Sequence, residues 1–208
     1  MSTEIAYEAA ERLEKELGLP ANFFNEIHKQ DDWSFIIKMH AIFEAAATYI
    51  LSHRTRNRQL KEIFSKIELS NKKTAKIAFI KAYEILDSEE RGYISMLSEL
   101  RNLLIHNIEN VNFSIESHIS KMDPNQKKKF VKYAGYGYPD TLKIAERNVS
   151  KSQFVIENPK LALWQTGVSI LGIMYITKEI ETLKQQTEEY ARKALEYQYR
   201  SIKEKATF

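Results

Sequence analysis

The sequence predicts an all-α protein, a single helical bundle with a long C-terminal helix. Two observations carry that expectation. Glycine and proline are scarce, 6 and 4 in 208 residues, while Ala, Leu, Ile, Glu and Lys abound, so little interrupts helix formation. Apolar residues also recur at intervals of three and four, the period of a helix with one face against a core. A chain of 208 residues is long enough for one substantial core, so residues 1–208 are expected to form one domain.

A first helix over roughly 3–17 ends at Gly18 with Pro20 behind it, a stop signal. Asp31 or Asp32 caps a second helix to about His53, whose Phe35, Met39, Ile42, Phe43, Ala46 and Ile50 share one stripe. A third starts at Asn71 or Thr74 and runs through Leu86. Ser88, followed by Glu89 and Glu90, opens a fourth to about Asn107, with acidic residues where the helix dipole favours them. Residues 111–159 read as an irregular basic insertion. Within it Asp123 and Pro124 start a short helix, and "AGYGYPD" is a loop. After Pro159 a last helix spans about 160–205. Ile173, Ile176, Ile180, Leu183, Thr187, Tyr190, Ala194 and Tyr197 form a heptad-like seam along it. Its first half suits a core. Its second half is charged outside and tyrosine-rich inside, and is expected to project and pack on a neighbour.

Charge and composition bound the function. The net charge of +3 is uneven: between Lys121 and Lys151 eight basic residues face three acidic ones, a local +5 that hints at an anionic partner. Without cysteine there are no disulfides, no thiol catalysis and no cysteine-ligated zinc, which fits a reducing, cytoplasmic setting. The first residues are acidic and amphipathic, unlike a targeting peptide. The apolar run 161–176 contains Gln165 and Thr166 and is shorter than the roughly 20 residues a span needs, so no membrane segment is expected. The five aspartates show no two-metal pairing, and His28, His40, His53 and His118 lie without ligand spacing. No metal or cofactor is expected.

Chemistry-bearing residues gather in "SELRNLLIHN", 98–107. On a helical wheel Tyr93, Met96, Leu97, Leu100, Leu103 and Leu104 form the core arc. Ile94, Ser98 and Ile105 make a second stripe beside Arg101, Asn102 and His106, as for a cleft or a two-fold interface. The alternative is an ordinary surface, with His106 an imidazole at the helix end, where the dipole favours it.

Arg101-Asn102, three residues and His106, late in a helix after "YISMLSEL", resembles the R-x4-H motif of the HEPN superfamily (higher eukaryote and prokaryote nucleotide-binding domains). The preceding "KMHAIFEAAATYIL" and "KIAFIKAYEIL" are similar to the helices of its mannitol operon repressor branch, over roughly residues 31–110. The resemblance implies metal-independent RNA cleavage by a homodimer. His106 would be general base or acid, Arg101 the phosphate clamp and Asn102 a positioning residue. Glu44, in "HAIFEAA", would orient His106 or Arg101, or else pair with His40 four residues before it. Ser98 would support the site. The implied role is RNA binding with endoribonuclease activity of a toxin or defence type. The other outcome the family implies is a non-catalytic regulator acting through a protein partner.

Two basic patches stand outside the motif. Lys127, Lys128, Lys129 and Lys132 interleave with Tyr133 and other rings in "KKKFVKYAGYGY". Cations for phosphates beside rings for bases suit a single strand; a solvated lysine face with rings packed inward is the competing expectation. Arg54, Arg56 and Arg58 close the second helix, where dipole compensation would also place them.

Overall fold

The computed structural model describes residues 3–205 other than Arg56, Lys72 and Asn107, and the side chains in that span other than those of Thr3, Arg58, Ile108 and 200–205. About 75% of the chain is helical, which makes the fold all-α. In order come α1 (Thr3–Glu16), α2 (Phe23–His28), α3 (Asp32–Arg54), α4 (Arg58–Lys66), α5 (Lys76–Ala82), α6 (Ser88–Ile105), α7 (Ile115–Ser120), α8 (Pro124–Ala134), α9 (Lys151–Glu157) and α10 (Pro159–Lys205), with a 3-10 turn over Ile108–Asn112.

α3 is the hub. Asp31 caps it by accepting the Ser34 amide at 2.9 Å, and Phe35, Ile36, Met39, Phe43, Ala46, Ala47 and Leu51 along it are fully buried. It packs on α2, α4, α5, α6 and α10, so apolar residues surround it on more than one side and no single stripe dominates. Among the described residues it is the one helix with the length and apolarity of a membrane span; its apolar side chains are the protein's own core. α1 and α10 run against each other so closely that a Cβ on Gly172 would overlap the Ala6 carbonyl. That approach requires glycine.

The insertion 111–159 is more ordered than the sequence suggested. Asp123 and Gln126 form a full capping box on α8. β1 (Thr141–Ile144) and β2 (Arg147–Ser150) pair antiparallel, Leu142 opposite Val149. Their two-residue turn holds Ala145 at φ 53, where Asn or Gly is the usual signal; lacking it, the hairpin escaped the sequence reading. The third helix is shorter than expected, because Asn71 Oδ1 accepts the Lys73 and Thr74 amides and holds the chain in a turn before Lys76.

Candidate functional site at the end of the motif helix

α6 carries the motif, and its N-terminal end is heavily tied. Asp87, not Ser88, is the cap: its side chain accepts the Glu89 and Glu90 amides at 2.8 Å, and Glu90 returns to the Asp87 amide at 2.7 Å. The Tyr136 hydroxyl lies 2.9 Å from both Asp87 Oδ2 and Glu90 Oε1. Burial raises the Glu90 carboxyl above its ordinary pKa, against the pull of its hydrogen bonds. A Cβ on Gly92 would run into the Tyr133 ring, so α8 seats directly on this end of α6.

At mid-helix, α6 meets α3 through a polar cluster that α3 extends to Lys76 of α5. Ser98 is buried, and its hydroxyl donates to the Ile94 carbonyl at 2.9 Å. With its one proton so placed, the oxygen accepts from His40 Nε2 at 3.2 Å. Burial, with the Arg101 and Lys76 cations against the nearby Glu44, lowers the His40 pKa to about 4, so the ring is neutral at physiological pH. Lys76 is fully buried at the start of α5 and reaches the Glu44 carboxylate at 3.3 Å. An ammonium out of water is held charged by such a partner.

The last turns of α6 are open. Arg101 is half-buried, and its Nη1 donates to Asn102 Oδ1 at 3.0 Å. His106 is the C-cap residue, its amide on the Asn102 carbonyl at 3.4 Å. Of the five histidines it alone is exposed. His28 tilts against Trp164 at 5.0 Å, His40 is on Ser98, His53 is 2.9 Å from Thr182 Oγ1, and His118 packs on Phe113 at 5.5 Å. Leu103, Ile105 and Val111 lie exposed around it (39%, 44% and 57%).

Beside this end runs a groove of about 410 Å³ between α6, α7 and α8. Met96, Leu100, Leu103, Met122 and Phe130 line it, with Glu99, Lys121, Lys129, Gln126 and His118 on its polar side. A second hollow of about 360 Å³ shares Leu103, His118 and Lys121 with it. Methionine in the apolar lining tolerates varied flat ligands, and Lys121 supplies charge for an anion, Lys129 being paired with Glu99. Among the described residues no three His, Cys, Asp or Glu side chains come together to hold a metal ion.

Searches against protein-family models, curated proteins and solved structures found no match.

Several sequence expectations change. Ser98 and Ile94 are not on an outward stripe: both are buried inside the chain (3% and 0%), leaving Ile105 as the exposed member. Leu103, expected in the core, is partly open because the helix is near its end. Glu44 has Lys76 as its hydrogen-bonded partner, 3.3 Å away, in place of Arg101 or His106. Of the two expectations for the basic segment, the structure follows the inward packing of its rings: Phe130 is buried, Tyr133 covers Gly92, and Tyr138 meets Gln165 and Phe154. Lys129 pairs with Glu99 at 3.1 Å and Lys132 with Glu89 at 3.4 Å, so two of the four lysines dock α8 on α6. Lys128 is exposed and Lys127 half-exposed. Arg54 pairs with Glu181 and stands over the Tyr83 ring; Arg56 and the Arg58 side chain lie outside the described residues. His40, foreseen only as a partner for Glu44 four residues on, bonds Ser98 instead, and Lys76 was missed as a cluster member.

Proposed function

We propose that this chain is a cytoplasmic HEPN-like protein that binds RNA and cleaves it without a metal ion, as a toxin or defence component would. The observation that carries the reading is that His106 alone among the histidines is exposed, in the same open turns as Arg101. One imidazole takes the proton of a ribose 2′-hydroxyl as that oxygen attacks phosphorus. The bond to the 5′-oxygen breaks, and a second imidazole gives that oxygen its proton. The products are a 2′,3′-cyclic phosphate and a free 5′-hydroxyl. One ring cannot be base and acid in the same turnover, so two copies contribute one His106 each. Arg101, steadied by Asn102, meets the charge building on the phosphoryl oxygens. The groove beside α6 offers bases an apolar lining and the backbone Lys121.

The test is purified protein with mixed RNA in EDTA. Wild type leaves 2′,3′-cyclic phosphate ends. His106→Ala and Arg101→Ala each stop cutting while circular dichroism and melting temperature stay as in wild type. RNA left whole by wild type, or cleavage persisting in both variants, overturns the reading.

The exposed Leu103, Ile105 and Val111 favour a second reading, a regulator whose helix end docks on a protein partner. In that case RNA remains intact, a defined partner co-purifies, and Ile105→Glu releases it.

A further inference from the structure

α10 is 47 residues long, about 70 Å at 1.5 Å per residue. Its first half carries core residues such as Leu163, Ile170, Leu171 and Met174. From residue 186 to 199 every position is exposed. Fourteen unpacked residues are marginal as a helix in water, yet this stretch keeps large apolar side chains. They follow a register: Ile180, Thr187 and Ala194 at a, and Leu183, Tyr190 and Tyr197 at d. The d side chains are exposed by 62%, 73% and 77%.

We propose that this half of α10 pairs in parallel with the same segment of a second copy, as a two-stranded coiled coil. The seam is self-complementary in that alignment. Modest Thr187 and Ala194 at a leave room for the tyrosines at d, and each layer meets its own kind across a two-fold axis. The flanks agree. Glu179, at g, faces Lys184 of the second copy, at e, adding a second cation to a carboxylate that already holds Lys178 at 2.7 Å. Lys193 at g faces Gln198, and Gln186 faces Ala191, so between residues 179 and 198, the span over which the seam is proposed, the alignment opposes no like charges. Along the strand, Lys193 pairs with Glu189 at 2.7 Å, which supports the helix before it pairs. The inference rests on nothing in the RNA reading.

Sedimentation of the full chain at tens of micromolar tests it. Wild type sediments at twice the 24.3 kDa chain mass, and Tyr190→Glu at the single mass. Leu195→Glu is the control: Leu195 is equally apolar and 67% exposed, but sits at b on the outer face, and the variant stays paired. A monomeric wild type, or an equal loss of mass in both variants, overturns the proposal. Orientation is read by thiols, because the chain has no cysteine of its own. On mild oxidation Tyr190→Cys links two copies through one d layer, whereas Arg192→Cys, at f, does not. Linkage through Arg192→Cys but not Tyr190→Cys overturns the parallel seam. Both sites are exposed in the single chain, and circular dichroism verifies that each variant keeps its helix.

Discussion

The two ends of α6 are built to opposite specifications. The N-terminal end is held by the Asp87–Glu90 capping box, two Tyr136 hydrogen bonds and the Tyr133 ring on Gly92. Among the described residues the C-terminal end has two exposed side-chain ties, Arg101 to Asn102 and the Asn110 amide to the Leu103 carbonyl, beside an exposed His106 with no side-chain partner. The difference teaches where to look for function. Polar groups that satisfy one another hold the fold. Polar groups left facing water, on a helix already anchored elsewhere, are available to something else.

That contrast is open to attack in order of effect. The greatest belongs to the open end: His106→Ala and Arg101→Ala should each lower RNA cleavage by about 10²–10⁴-fold with the thermal midpoint unmoved. A shift of several degrees in either would put the pair in the scaffold. Next is the boundary between the ends, at His40. The folded ring titrates at about 4 and the unfolded one at 6.5. Between those values the unfolded chain holds the extra proton, so stability is full above pH 6.5 and falls as pH drops toward 4. The loss is on the order of 3 kcal/mol. Urea melts across that range should show it, and His40→Leu should flatten it.

At the tied end, Gly92→Val should cost about 2 kcal/mol through collision with Tyr133, and much of that should return in a Gly92→Val, Tyr133→Ala double variant. Asp87→Ala should cost about 1 kcal/mol by chemical denaturation, as loss of a cap does. The smallest effect returns to the open end: Ile105→Ser should change stability by less than about 0.5 kcal/mol. A large cost would mean that this end also is structural.

The helical framework was legible because it rests on local chemistry. Asp31 and Asp123 announced their helices as caps, Gly18 and Pro20 marked a stop, and the seam of α10 ran on past Pro159. The site was harder to read for a physical reason. A wheel gives the angle of Ser98 and Ile94 on α6 but not how many helices surround it. α3 packs on the side that looked outward, with His40 on Ser98, so the presumed two-fold stripe became an internal contact. Lys76 could not be placed either, since a lysine in a sequence carries no mark of burial. Its partner Glu44 lies 32 residues away. The inward turn of Tyr133 and Phe130 depended likewise on Gly92 and α6, which share no local pattern with α8.

The close seat of Ala6 on Gly172 has a consequence in time. α1 leaves the ribosome well before the surface it packs on, which is made more than 160 residues later. At about 5–20 residues per second, several seconds or more separate the first helix from its partner. Throughout that interval Phe35 and Met39 on α3 lack the cover that Lys160 and Gly167 of α10 give them. Closure of the core therefore waits until α10 has been made. A chain stopped before Pro159 would emerge with its central helix bare on that side, a substrate for chaperones and proteases rather than a shorter working protein.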